Sequence, residues 1–186
     1  MSAFQNQSGI KLVPVDPSHA ENMFHWMDDP EIRRHLGLRR EPTLEKTIEW
    51  IQFVTDNPDK VRGYAILSGR THVGNVVLDR FDRYLGTARF FIYIGENRGT
   101  GLGRAATKAM VEEGFGTLGL YKIWLTVHRG NIRAINAYLD VGFKIEGVLR
   151  DEFLLDGNRV DVFYMGILKE DFLRSSSSAI PVFESI

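Results

Sequence analysis

The chain of 186 residues contains no cysteine. Disulfides, cysteine-ligated zinc and cysteine nucleophiles are therefore excluded together. An excess of one charge is missing too: Lys+Arg 23 against Asp+Glu 24 leaves a formal net charge of -1. That balance makes no general electrostatic case for a nucleic acid or an anionic membrane as partner. No apolar run approaches the length that spans a bilayer, and the opening MSAFQNQSGIKLVPV lacks the basic-then-apolar layout of a secretion signal. The expectation is a cytoplasmic protein with no metal, no nucleic acid and no membrane to bind. What is present is ordinary for a globular domain: 44% hydrophobic and 25% charged residues, on a length that suits one domain with a sizeable core.

Periodicity divides the chain into alternating elements. Residues 1–9 are polar and small, and read as a flexible terminus. Ile10 to Val15 reads as a short strand, and Ser18 as the cap of a helix over His19–Asp28 with Ala20, Met23, Phe24 and Met27 on one face. Asp28-Asp29-Pro30 reads as its stop. A second helix is expected from Thr43 to Thr55, capped by Thr43, with Leu44, Ile48, Ile51 and Val54 as its apolar stripe. Strands are expected at Val61–Leu67 and His72–Asp79, joined through Ser68-Gly69-Arg70, and at Thr87–Ile94. A helix then runs to about Phe115, a strand over Lys122–His128, a helix over Ile132–Val141, and a hairpin of Lys144–Leu155 with Arg159–Leu168 about Asp156-Gly157. The domain is expected to occupy residues 10–173, with a low-complexity tail over 174–186 in which Ile180, Val182 and Phe183 offer the apolar contacts.

The most informative segment is strand, then Arg98-Gly99-Thr100-Gly101-Leu102-Gly103-Arg104, then helix. A helix N-terminus exposes unpaired N–H groups and carries partial positive charge, so it attracts phosphate oxygens. Glycines let that backbone come close, and Arg98 and Arg104 add formal charge. A plain glycine-rich turn is the alternative. A nucleoside triphosphate loop would need a Gly-Lys-Ser/Thr ending, which is absent. Gly101-Leu-Gly103-Arg-Ala-Ala106 fits the form of a dinucleotide loop, but it lies past mid-chain, and the next strand ends in Val127-His128 without the expected acid.

Here the sequence resembles the GNAT N-acetyltransferases, which use acetyl-CoA. Arg98-x-x-Gly101-x-Gly103 is similar to that family's pyrophosphate loop, and Asn131-x-x-Ala134-x-x-x-Tyr138-x-x-x-Gly142-Phe143 to its next helix and turn. The match is firmest over Val61–Leu168. The ending, with Arg150, the Asp-Gly hairpin and Met165, resembles the branch that holds ribosomal-protein alanine, spermidine and amino-sugar acetyltransferases. The resemblance implies a single-domain α/β fold of GNAT type: a central twisted mixed sheet flanked by helices, splayed between its fourth and fifth strands, Thr87–Ile94 and Lys122–His128. It also implies a homodimer.

Acetyl transfer to an amine requires a neutral amine, a polarised thioester, a stabilised oxyanion and a protonated leaving thiolate. By the resemblance, backbone groups of Phe91, Ile92 and Tyr93 pair with the pantetheine arm. Arg98, Gly99, Thr100, Gly101, Leu102, Gly103 and Arg104 take the pyrophosphate, and Asn131 bonds the arm. Tyr138 maps onto the family's general acid, against the alternative of a Tyr merely packed on a helix face. For the base, His128 ends a strand beside the splay and titrates in the right range, while Asp79 and Asp82 read as a solvated turn beside Arg80 and Arg83. Asp28, Asp29, Glu31 and His35 lie where the family places an acceptor loop, so an acid there would suit a cationic amine. A nucleic-acid reader would want aromatics beside a basic patch; the dense basic spot Arg33, Arg34, Arg39 and Arg40 lacks them. The expected acceptor is a small-molecule amine (an amino-sugar nucleotide, a polyamine or an amine antibiotic), with a protein N-terminus as the alternative. A non-catalytic acyl-CoA sensor and a nucleotide-binding module are the rivals from other classes.

Overall fold

The computed structural model describes residues 4–5, 9–38 and 41–177. The expectations for most of the N-terminal segment, for Arg39 and Arg40, and for Ile180, Val182 and Phe183 lie outside the described residues.

In chain order the elements are β1 (Phe4–Gln5), β2 (Ile10–Pro14), a 3-10 turn (Pro17–His19), α1 (Ala20–Asp28), α2 (Pro30–Leu36), α3 (Leu44–Asp56), β3 (Val61–Ser68), β4 (Thr71–Asp82), β5 (Thr87–Ile94), α4 (Leu102–Gly116), β6 (Lys122–His128), α5 (Ile132–Val141), β7 (Lys144–Leu155), β8 (Asn158–Leu168) and α6 (Lys169–Ser177). Among the described residues the strands form one eight-stranded sheet in the order β1-β2-β3-β4-β5-β6-β8-β7. All neighbouring pairs are antiparallel except β5 with β6. The fold is therefore a single mixed α/β sheet flanked by helices. No helix among the described residues is long and apolar enough to cross a membrane.

Both sheet faces are covered. Tyr64, Ile66, Val76, Leu78 and Phe90 join one core cluster with Ala106, Met110 and Ile135 of α4 and α5. The alternate residues Val61, Ala65 and Val77 join a second with Met23 of α1 and with Ile51 and Val54 of α3. This is the period-2 alternation of a strand with apolar layers on each side. Strand β7 differs: it is the sheet's edge and exposes Ile145, Val148, Leu149 and Leu154.

Three local expectations need correction. Asp16, not Ser18, makes the first cap, its carboxylate accepting from the Ser18 amide at 2.8 Å. Pro30 opens a helix rather than only ending one. Asp29 accepts from the amides of Glu31 at 2.7 Å and Ile32 at 3.3 Å, proline's fixed φ suits the first helical position, and Gly37 closes α2 in the left-handed region. The helix α3 is capped by Thr43 as expected. Its buried face, however, is Thr47, Ile51 and Val54, while Leu44 and Ile48 are exposed. Thr47 shields its hydroxyl by donating to the Thr43 carbonyl at 3.1 Å, so a polar residue takes the inward position.

Beneath α1 lies a buried histidine. His72 Nε2 donates to the Gly74 carbonyl at 3.0 Å and to Asn75 Oδ1 at 3.2 Å, and its ring stands edge-on to His19 and Trp26. Burial, followed by the neighbouring His19, pushes its pKa down to about 4. The unfolded chain takes up this proton near pH 6.5 and the folded chain only near 4. Stability from this group is therefore complete above about pH 7 and is lost as pH falls, by up to roughly 3 kcal/mol at the acid end. Melting temperature against pH is expected to fall steeply between these values, and His72→Gln to make that fall visibly shallower. A slope unchanged by the substitution would remove His72 as the cause.

Candidate functional site

Strands β5 and β6 pair over only Thr87↔Lys122, Ala88↔Ile123 and Arg89↔Trp124. Both continue, β5 to Ile94 and β6 to His128, so they part and leave a wedge. On its other edge β5 remains paired to β4 as far as Ile94. The bond from the Gly95 amide to the Val73 carbonyl at 2.8 Å sets the alternation there. Odd residues of β5 turn their N–H and C=O toward β4, and even ones turn them into the wedge. Of the three residues expected to present backbone to a ligand, Ile92 turns its main-chain groups into the wedge, whereas those of Phe91 and Tyr93 face β4.

The wedge opens onto the glycine loop. Gly99 and Gly101 adopt φ values of +85° and +87°, a region costly to residues with a Cβ. Gly101 is the N-cap of α4, and no side chain caps that helix. Its first amides are thus left for an outside acceptor, as an anion site requires. Thr100 ties the loop internally through its hydroxyl to the Asn97 carbonyl at 2.7 Å, and the residues present fit a pyrophosphate.

The electrostatics around this loop are nearly closed. The Arg98 guanidinium donates to Ile94 O at 2.9 Å, to Glu31 Oε2 at 2.7 Å and to Asp29 Oδ2 at 2.6 Å. Arg133 reaches Glu31 at 3.3 Å and Arg104 reaches Asp140 at 3.3 Å. Burial alone would raise the Asp29 carboxyl, but Arg98 and the amides of Glu31 and Ile32 hold it below its ordinary value. Asp28, the remaining member of the acidic run, pairs with Arg33 at 3.6 Å.

Two cavities meet at the wedge. One, of about 430 Å³, runs along the loop and the start of α4, with Glu31, Asn131 and Tyr138 on its walls. The other, of about 510 Å³, lies under α1 and α3 and is lined by Met23, Met27, Trp50, Phe91, Phe153 and His128 among others. His35, Leu36, Ile92, Tyr93, Asn131 and Tyr138 border both. Asn131 is the N-cap of α5, its Oδ1 accepting from the Ala134 amide at 3.2 Å, which leaves its NH₂ as the group available to a ligand. Two helical turns later Tyr138 points to the seam, 8% exposed and edge-on to Phe90. Burial pushes the Tyr138 phenol up, so it holds its proton at neutral pH.

His128 is 3% exposed. Its Nε2 lies 2.8 Å from His35 Nδ1, with ring planes 9° apart and centroids at 5.1 Å, which makes this an in-plane, edge-to-edge hydrogen bond. The Phe153 ring stacks on His128. Gly37 makes room for that phenyl: its φ is +65°, and an added Cβ would stand 2.7 Å from Phe153. Burial lowers the pKa of both imidazoles; around His35 the carboxylate of Glu31 opposes that, while Arg34, Arg133 and Arg98 reinforce it.

The sequence-predicted residues therefore separate. The loop residues except Thr100, with Asn131, Tyr138, Ile92, Tyr93, Glu31 and His35, gather at the first cavity, and His128 with Phe91 at the second. Asp28 and Asp29 line neither cavity. Asp79, weighed as a base, is closed by Arg89 at 2.8 and 2.6 Å. Met23, Trp50, Phe153 and Arg133 were missed. Their periodicity reads as ordinary core or surface, and only the approach of distant segments makes them cavity walls.

Comparison with known proteins converges on one family. A family model described as an acetyltransferase (GNAT) domain matches residues 10–144. Spermidine N(1)-acetyltransferase of Escherichia coli (strain K12) is 28% identical over 165 residues, covering 88% of this chain and 83% of that protein. The spermidine N(1)-acetyltransferase of Vibrio cholerae is 34% identical over 105 residues, 56% of this chain and 61% of that protein. Among solved structures, the Vibrio cholerae spermidine N-acetyltransferase in complex with CoA and spermine superposes with a TM-score of 0.84 at 24% identity, over 90% of this chain and 99% of that one. The ribosomal-protein-S5-alanine acetyltransferase of Vibrio fischeri superposes with a TM-score of 0.82 at 14% identity, over 92% and 99%.

An added Cβ at Gly101 meets nothing within 4 Å, so a substitution there acts through φ alone. Gly101→Val, costing about 1–2 kcal/mol in backbone strain, is expected to weaken CoA binding tenfold or more by titration calorimetry with helix content preserved. Unchanged affinity would remove the loop from the anion site.

Proposed function

The chain belongs to the GNAT acetyltransferases, and from that membership we propose that it transfers acetyl from acetyl-CoA directly to the primary amine of a small molecule. The observation that carries this reading is Tyr138: a buried, protonated phenol at the seam of two cavities, one shaped for the CoA anion and the other open to an acceptor. Acetyl-CoA supplies an activated thioester. The loop amides of Gly99–Gly103, with Arg104, hold its pyrophosphate, and Arg98 takes part by exchanging carboxylates for phosphate oxygens. Asn131 donates to the pantetheine arm, and Ile92, whose N–H faces the wedge, bonds the thioester oxygen where negative charge develops.

Tyr138 gives its proton to the departing sulfur. Dehydration raises the basicity of the phenolate and the thiolate alike, so the transfer is governed by the small difference between them rather than by solution values. On the other side of the reacting carbon, the hydrogen-bonded His35–His128 pair takes the proton of the attacking amine and passes charge toward Glu31 and solvent. The groups facing this pair are Glu31, Arg34, Arg98 and Arg133 from the helices and the loop, with Lys46, Phe153 and Tyr138 on the shared wall. A homodimer is part of the proposal, supported by the apolar residues exposed along the β7 edge.

Tyr138→Phe is expected to lower kcat by a hundredfold or more while CoA affinity stays within about threefold; equal loss of both would return Tyr138 to a packing role, and full turnover would remove it as the acid. Because the histidines must be neutral to accept a proton, kcat/KM is expected to fall as pH drops through an apparent pKa below 6.5. His128→Gln is expected to cut kcat ten- to a hundredfold and to erase that acid limb. An acid limb that persists in the variant would assign it to another group.

A further inference from the structure

The acceptor cavity differs chemically from what a polycation needs. It is lined by Met23, Met27, Trp50, Phe91, Phe153 and Val162, and among the described residues no aspartate or glutamate reaches its wall. Its formal charges are cations, Lys46 and Arg89. Arg89 is neutralised by both oxygens of Asp79, and Lys46 stands exposed on the rim. The acids of the α1–α2 segment are committed elsewhere: Asp29 and Glu31 to Arg98, Glu31 also to Arg133, and Asp28 to Arg33. Glu41, Glu45 and Glu49, adjacent in sequence to lining residues, are exposed and form no part of the wall.

From this we infer that the acceptor is a monoamine with an apolar, ring-bearing or branched body, and not a polyamine. The inference rests on the acetyl-transfer reading and narrows its substrate class. A spermidine molecule that presents one neutral amine to the thioester carries two further ammonium groups. In this cavity those charges would lose water and find no carboxylate in its place, only aromatic and thioether surface and neutral groups such as Thr43, Thr126 and Asn131, with Lys46 repelling them at the mouth. An ionised group buried without a partner loses its hydration with nothing to replace it. A lone amine meets the opposite situation. Burial disfavours its charged form and helps produce the neutral nucleophile, while its apolar body is stabilised in proportion to the area removed from water. A peptide N-terminus fits less well, because its amides and carbonyls would face the same apolar side chains unpaired.

The test is a thiol-release assay with acetyl-CoA and a panel of amines: 2-phenylethylamine, hexylamine, putrescine, spermidine, spermine, and peptides that begin with Ser or Ala. We expect kcat/KM for the apolar monoamines to exceed that for spermidine by tenfold or more. Lys46→Glu is expected to raise the ratio of spermidine to 2-phenylethylamine turnover at least fivefold. Spermidine or spermine equal to or better than the monoamines would overturn the inference, as would preferential acetylation of the peptides. If CoA binds and no amine releases thiol, the acetyl-transfer reading fails, and the substrate class is judged separately by calorimetry in the presence of CoA. Tighter binding of 2-phenylethylamine than of spermidine would then sustain the inference, and the reverse order would end it.

Discussion

Much of this molecule depends on a hydrogen-bonded ladder that stops early. Strands β5 and β6 hold each other over three residue pairs and then separate, although a strand edge within a sheet is normally satisfied along its length. The unpaired main chain at Ile92 creates a demand for a strand-like guest. Both flanking strands stay rigid because their outer edges remain laddered, β5 to β4 and β6 to β8. A wedge held open from both sides needs no movement to admit an extended arm. Tyr138 of α5 borders both cavities that meet at this opening, and His128, at the end of β6, borders the second.

Charge distribution follows from this geometry. The segment α1–α2 folds over the wedge and is held there by Arg98, whose guanidinium bridges the cap of α2 to the carbonyl at the end of β5. One arginine thus ties the glycine loop to α2, whose His35 and Leu36 border both cavities. Its carboxylate partners are screened only in part: Arg98 is 20% exposed against 33% for Asp29. The pairing is stronger than a surface bridge, yet an incoming pyrophosphate, carrying more charge, competes with it. The acidic run beside α2 is therefore spent on the phosphate side of the wedge. The second cavity is left without a carboxylate on its wall and holds the imidazole pair instead.

Much of the architecture was legible. The strand boundaries of β5 and β6 and the helix α5 coincide with the periodicity, because strongly alternating and strongly amphipathic segments leave little choice of state. The loop and the Asn131–Gly142 segment were legible for another reason: backbone geometry there demands particular residues, glycine for positive φ and Asn for a helix cap. The hidden features were of a different kind. The helix α2 was missed because Pro30 both ends one helix and begins the next, and only the carboxylate of Asp29 decides between them. The inward face of α3 was misjudged because Thr47 satisfies its own hydroxyl and so competes with leucine for a buried position.

What the sequence determined by itself is local and compositional. The absence of cysteine excludes thiol chemistry, and the glycine loop with its flanking helix has the form of an anion site. What only the tertiary structure decided is which side chains oppose one another. His35 and His128 stand 93 positions apart in the chain and share a hydrogen bond; Arg98 closes on acids 67 and 69 positions before it; Phe153 comes from a late hairpin to line the second cavity. No local pattern encodes such pairs. They arise because the crossovers of a mixed sheet bring distant segments to one opening, and partner choice there is settled by packing and desolvation rather than by neighbours in sequence.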